Sequence, residues 1–108
     1  MLETYRYKVD LSIAKNHWEI HEILKHSLDF PDYYAGHYYA LWDCLTDMLG
    51  GINHIEILGL NNVKKICKED YENILKLFKE TKHAYNNKFS DRFFVTIIHE
   101  DGTREEVE

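Results

Sequence analysis

Residues 30–46 read FPDYYAGHYYALWDCLT, and the fold turns on how this stretch is divided. Pro31 drives Phe30 towards an extended conformation, so a helix arriving from the N-terminal side stops near Ser27 or Leu28. A bend through Pro31-Asp32-Tyr33 follows, and Gly36 permits a tight entry into a second helix, from Gly36 or His37 to Met48 or Leu49. Two helices therefore stand here in succession. At roughly 100° per residue, Tyr38, Leu41, Trp42, Leu45 and Leu49 share one face of the second helix, while Tyr39, Asp43 and Asp47 share another.

The flanking sequence supplies strands. Tyr5-Arg6-Tyr7-Lys8-Val9-Asp10-Leu11 alternates as a strand does. Asn16 followed by Glu19 makes a capping box, and Ile20, Ile23, Leu24 and Leu28 form one apolar helical stripe. After the Gly50-Gly51 stop, Ile52 to Leu58 reads as a second strand. Leu60 to Cys67 reads as a short helix with Val63, Ile66 and Cys67 inward. A long helix begins near Asp70, lays down Tyr71, Ile74, Leu75, Phe78 and Tyr85, pairs Glu72 with Lys76 on its outer surface, and ends at Asn86-Asn87. Phe93-Phe94-Val95-Thr96-Ile97-Ile98 has almost no polar face, as expected of a covered central strand. Asp101-Gly102-Thr103 is a turn, and Arg104 to Glu108 a polar tail or a hairpin return strand. The order β-α-α-β-α-α-β makes this an α/β chain whose helical crossovers require a small, mostly parallel sheet, with right-handed connections.

At 108 residues, 44% hydrophobic and 30% charged, the chain is expected to be a single domain over 1–108, with 100–108 a polar C-terminal extension. Cys44 and Cys67 do not form a secreted disulfide framework, and the MLETYRYKVD start has no apolar signal segment, so a cytoplasmic location is expected. No run reaches the ~20 apolar residues of a membrane span. The net charge of −6 repels nucleic acid and suits a basic partner. No lysine or arginine falls between Lys25 and Lys64, whereas Asp29, Asp32, Asp43 and Asp47 bracket the aromatic segment.

The like charges Asp43 and Asp47 stand at i,i+4, and Asp47 lies where the helix dipole disfavours an acid. A face so arranged does little for the free protein and suits a cationic partner. Tyrosines and a tryptophan beside a carboxylate are what an interface anchors on. The plainer readings are a solvated acid at Asp43, tyrosines capping the core at Tyr33 and Tyr34, a core ring at Tyr38, a small packing thiol at Cys44, and a Lys76 partner for Glu80.

The segment Phe30-Pro31-Asp32-Tyr33-Tyr34 with Ala40-Leu41-Trp42-Asp43-Cys44-Leu45-Thr46 resembles the barstar family of intracellular ribonuclease inhibitors. The likeness continues into Leu77-Phe78-Lys79-Glu80-Thr81-Lys82 and covers about Tyr5 to Ile98. It implies a barstar-like three-stranded parallel sheet with about four helices. It also implies inhibition of a microbial ribonuclease by an acidic and aromatic helix surface that occludes the basic active site. On that likeness Asp43 takes the place of a substrate phosphate, Glu80 supports it, Tyr33 and Tyr34 match the family's paired tyrosines, and Trp42 is largely structural with an exposed edge. His37 and Tyr39, which depart from the family, and Asp47, one turn from Asp43, join the expected partner-binding set by their place beside it. The implied partner is a basic extracellular-type ribonuclease, met by a protein that is monomeric when free and binds neither nucleic acid nor membrane. Where the family commonly continues Gly-x-Asn-x-Asp after its tyrosines, this chain has Ala35-Gly36-His37-Tyr38-Tyr39. The alternative is therefore a barstar-like interaction module whose partner is not a ribonuclease.

Among the seven histidines, His17 and His21 are one turn apart, with His26 near. No Glu of a His-Glu-x-x-His motif and no acid or cysteine at a zinc spacing accompanies them, so a solvated pair is expected, with no metal and no cofactor. Casting Asp43 and Glu80 as an acid–base pair lacks a shielded cleft, and no phosphate loop or nucleophile elbow is present. The chain is not expected to be an enzyme.

Overall fold

The period-two pattern holds most clearly at Gly51–Leu58, where buried and half-buried residues alternate without a break. In the computed structural model, which describes residues 3–30, 38–46, 51–89 and 92–107, this strand is β2. It lies between β1 (Glu3–Asp10) and β3 (Phe93–Ile98), parallel to both. The registers run from Glu3↔Gly51 to Asp10↔Leu58 and from Asn53↔Phe93 to Leu58↔Ile98. Parallel neighbours need long crossovers. The first holds α1 (His17–Ser27) and α2 (Tyr38–Thr46); the second holds α3 (Leu60–Ile66) and α4 (Lys68–Phe89).

The sheet is mixed and four-stranded rather than three-stranded and parallel. Arg104–Glu106 forms β4, antiparallel to β3 in the order β1-β2-β3-β4. The turn that reverses the chain is built by Asp101, whose Oδ1 accepts from the backbone N–H (3.0 Å) and the hydroxyl (2.7 Å) of Thr103. Gly102 takes a φ of 89° there. Val107 then buries its side chain and donates its backbone N–H to Val95 O. The return strand covers an edge of β3 that would otherwise present an apolar template to other chains.

One row of alternating residues, including Val9, Ile55, Ile57, Phe93, Val95 and Ile97, is buried. The opposite face is half-exposed, with His54 stacked on Phe94 (centroids 4.8 Å apart) and Arg104 ion-paired to Glu56. The thinnest dimension of 19 Å fits one sheet under one helical layer.

Asn16 caps α1 as expected, its Oδ1 accepting from Glu19 N at 3.0 Å. The return bond differs: Glu19 Oε1 accepts from the backbone N–H of Lys15 (3.2 Å). Ile20, Leu24 and Leu28 are buried. The helix closes with Asp29 at a φ of 55° and Phe30 N donating to Lys25 O at 2.9 Å, a Schellman end that acts ahead of Pro31.

Three expectations about the other helices need correction. Ile66 is exposed rather than inward; it stands roughly 120° around α3 from buried Leu60 at 100° per residue, off the stripe that Leu60 and Val63 share. The long helix α4 starts at Lys68 and continues past Asn86-Asn87 to Phe89, because asparagine costs a helix only about 0.7 kcal/mol or less against alanine. Glu72 turns to Lys68, at 3.9 Å, one turn earlier than Lys76. The bend at Pro31 and the glycines at 36 and 50 lie outside the described residues.

Candidate protein-binding surface

In α2 the residues Ala40, Leu41, Cys44 and Leu45 are buried. Positions i, i+1, i+4 and i+5 make a narrow stripe, and that stripe fixes which way the helix faces. It packs on α4, which in turn packs on β3. Cys44 belongs to the stripe itself, more deeply than a flanking position would allow. Trp42 is half-buried at its edge rather than at its centre. Asp43 lies about 200° around the helix from both Leu41 and Leu45, and it is exposed.

A second exposed acid comes from α4. Phe78 and Thr81 face the interior, with the Thr81 hydroxyl donating to Leu77 O at 2.7 Å. That leaves Lys79 and Glu80 exposed on the outer surface. Asp43 and Glu80 thus stand exposed on two helices that touch each other. Tyr39 belongs to α2. Tyr33, Tyr34, His37 and Asp47 lie outside the described residues, as does Leu49 of the expected apolar face.

Chemically, this is a carboxylate-bearing surface. A cleft of about 640 Å³ runs between α3, α4 and the β3–β4 hairpin, with Leu60, Tyr71, Leu75 and Val107 among its walls, and neither Asp43 nor Glu80 lines it. The exposed acid suits contact with a large cationic partner better than enclosure of a small substrate.

The histidine pair departs from expectation. His21 is buried, His17 is half-buried, and the ring centroids lie 4.5 Å apart. Buried Asp70 from the first turn of α4 comes to 2.9 Å from Nδ1 of His17. Sequence spacing could not show this grouping, because 53 positions separate His17 from Asp70. The only local signal was an acid at the start of a long helix.

Elsewhere two aspartates are held below their ordinary carboxylate range by turn hydrogen bonds, Asp10 by the hydroxyl and N–H of Ser12 and Asp101 by those of Thr103. Both belong to chain reversals at strand ends.

Comparison with known proteins bears on most of the chain and on one short stretch. A sequence model of the family described as Barstar (barnase inhibitor) matches residues 5–97. A Bacillus subtilis (strain 168) protein named "Putative ribonuclease inhibitor YrdF" is 63% identical over 27 residues. That alignment spans 25% of this chain and 30% of the relative.

Proposed function

Because the chain belongs to the barstar family, we propose that it inhibits a basic, secreted-type ribonuclease by laying α2 into the enzyme's active-site cleft. Members of this family are inhibitors and not enzymes. The observation that carries the reading is the exposure of Asp43 on a helix whose opposite side is locked into the core by Leu41, Cys44 and Leu45. A rigidly held carboxylate can stand where a substrate phosphate would, bonded to the cationic groups that the nuclease keeps for that phosphate.

Glu80 adds a second negative charge from the adjacent helix, and Trp42 offers ring edge beside the acid. Tyr33, Tyr34, His37, Tyr39 and Asp47 complete the surface in this proposal. The net charge of −6 speeds encounter with a basic enzyme, and speed matters to a cell that makes a nuclease able to digest its own RNA. The cytoplasm is where such protection acts.

The test is a titration of RNA cleavage. Purified protein added to a basic microbial ribonuclease from the same source should suppress cleavage stoichiometrically, and Asp43→Ala should abolish suppression. Unchanged cleavage with wild-type protein, across the basic ribonucleases of the source, would favour the second reading. That reading is a barstar-like module with another protein partner, and it draws on His37 and Tyr39, which stand where the family commonly has an asparagine and an acid.

A further inference from the structure

We propose that His17, His21 and Asp70 form a binding site for one Zn²⁺ ion, which ties the start of α1 to the start of α4. One ligating atom from each of the three residues lies within 4.8 Å of the other two. His17 and His21 present their rings from one side of α1, a helical turn apart, the spacing at which two imidazoles share a metal. Asp70 supplies the carboxylate from a different part of the chain, and both Asp70 and His21 are 3% exposed. A charged side chain so deeply buried beside two imidazoles is a built feature, quite unlike a chance cluster of surface acids.

The donor set selects the ion. Two nitrogens and one carboxylate oxygen suit Zn²⁺, which binds His at about 2.0–2.1 Å and accepts tetrahedral geometry without preference from d electrons. Mg²⁺ and Ca²⁺ prefer oxygen throughout. Tetrahedral ligands at those bond lengths stand about 3.3–3.5 Å apart. His17 Nδ1 already lies 3.0 and 2.9 Å from the two Asp70 oxygens, so the ion replaces the proton between them with a slight widening. The ligating atom of His21 lies within 4.8 Å of the other two and has up to about 1.5 Å to close to reach that spacing. His17 sits at the edge of the protein, 39% exposed, which leaves a side open for water as the fourth ligand. The positive ends of α1 and α4 oppose a cation here; Asp70, Glu19 and Glu69 in those first turns offset them.

The ion would bind the folded chain and not the unfolded one, so it should raise the thermal midpoint in a concentration-dependent way. The experiment uses metal-free full-length chain titrated with Co²⁺, read by its visible absorption, and then with Zn²⁺ in competition. One equivalent of Co²⁺ should give a tetrahedral spectrum that Zn²⁺ removes. His17→Gln should weaken Zn²⁺ binding by roughly 100-fold or more, beyond the loss typical of an outer-shell change. His26→Gln, at the far end of α1, should leave binding as in wild type. Imidazole NMR of the unmutated chain gives a readout independent of any variant's folding. Zn²⁺ should shift the His17 and His21 resonances, leaving those of His26, His54, His83 and His99. Absence of saturable binding would overturn the proposal, as would equal binding by His17→Gln or shifts confined to the other histidines.

Discussion

The carboxylate of Asp70, buried at the start of α4, lies 2.9 Å from Nδ1 of His17 in the first turn of α1. This contact joins the two helical crossovers. Removing His17 takes one hydrogen-bond partner from a buried acid, a change that costs about 1–3 kcal/mol. In metal-free buffer, His17→Ala should destabilise by that amount in urea unfolding. A double-mutant cycle with Asp70→Ala should show coupling above about 0.5 kcal/mol, since residues in contact do not add. Strict additivity would show that the contact has no energetic weight.

Gly59 separates β2 from α3 with a φ of 79°, and a Cβ placed on it would stand 2.1 Å from the backbone nitrogen of Ser12. Gly59→Ala should therefore cost about 2 kcal/mol or more, strain and collision combined. Gly102 also has a positive φ, of 89°, but open space around it. Gly102→Ala should cost only the strain, about 1 kcal/mol. Equal losses at the two sites, measured as urea midpoints, would contradict the close approach of the β1–α1 connection to Gly59.

Much of this architecture was legible because its signals are local. The alternation of Tyr5 to Leu11, the apolar run Phe93 to Ile98, the Asn16 cap and the break before Pro31 each act within a few residues. Strand β4 was less legible, because Arg104-Glu105-Glu106 has no apolar face. Its place depends on the Asp101 turn and on Val107 finding a buried seat beyond the strand. The burial of His21 and the arrival of Asp70 depend on packing between α1 and α4, which no spacing rule sees. At the candidate site, helical period alone foretold that Asp43 faces away from Leu41 and Leu45. It misplaced Trp42 slightly, since the buried stripe runs through Ala40 and Cys44 on the other side of Leu41.

Acid should reveal the two turn aspartates. Hydrogen bonds from Ser12 and Thr103 hold Asp10 and Asp101 below their ordinary value of 3.8. A carboxylate with a depressed folded-state pKa stabilises the protein above its unfolded value and loses that contribution as pH falls through the folded one. Stability should thus decline as the pH drops below about 3.8. Asp10→Asn should make that decline shallower, in urea midpoints followed from pH 5 to 2.5. An unchanged slope would mean the Ser12 bonds do not favour the ionised form.

Leu41 and Asp43 should separate folding from binding. Leu41 is fully buried, and its truncation to alanine should cost about 2–5 kcal/mol. Asp43 is exposed, and Asp43→Ala should change stability by less than about 1 kcal/mol. Thermal unfolding of the two variants checks this. A large loss of stability in Asp43→Ala would make Asp43 a structural residue and weaken its place at the interface.

The most direct measurement is the dissociation constant of a basic ribonuclease from the wild-type protein and from Asp43→Asn, which keeps the shape and removes the charge. If Asp43 takes the place of a substrate phosphate, the neutral variant should lose about 2 kcal/mol of binding or more, the level that marks a hot spot in interfaces generally, the barnase–barstar pair among them. Wild-type affinity in a folded Asp43→Asn variant would contradict the account at its centre.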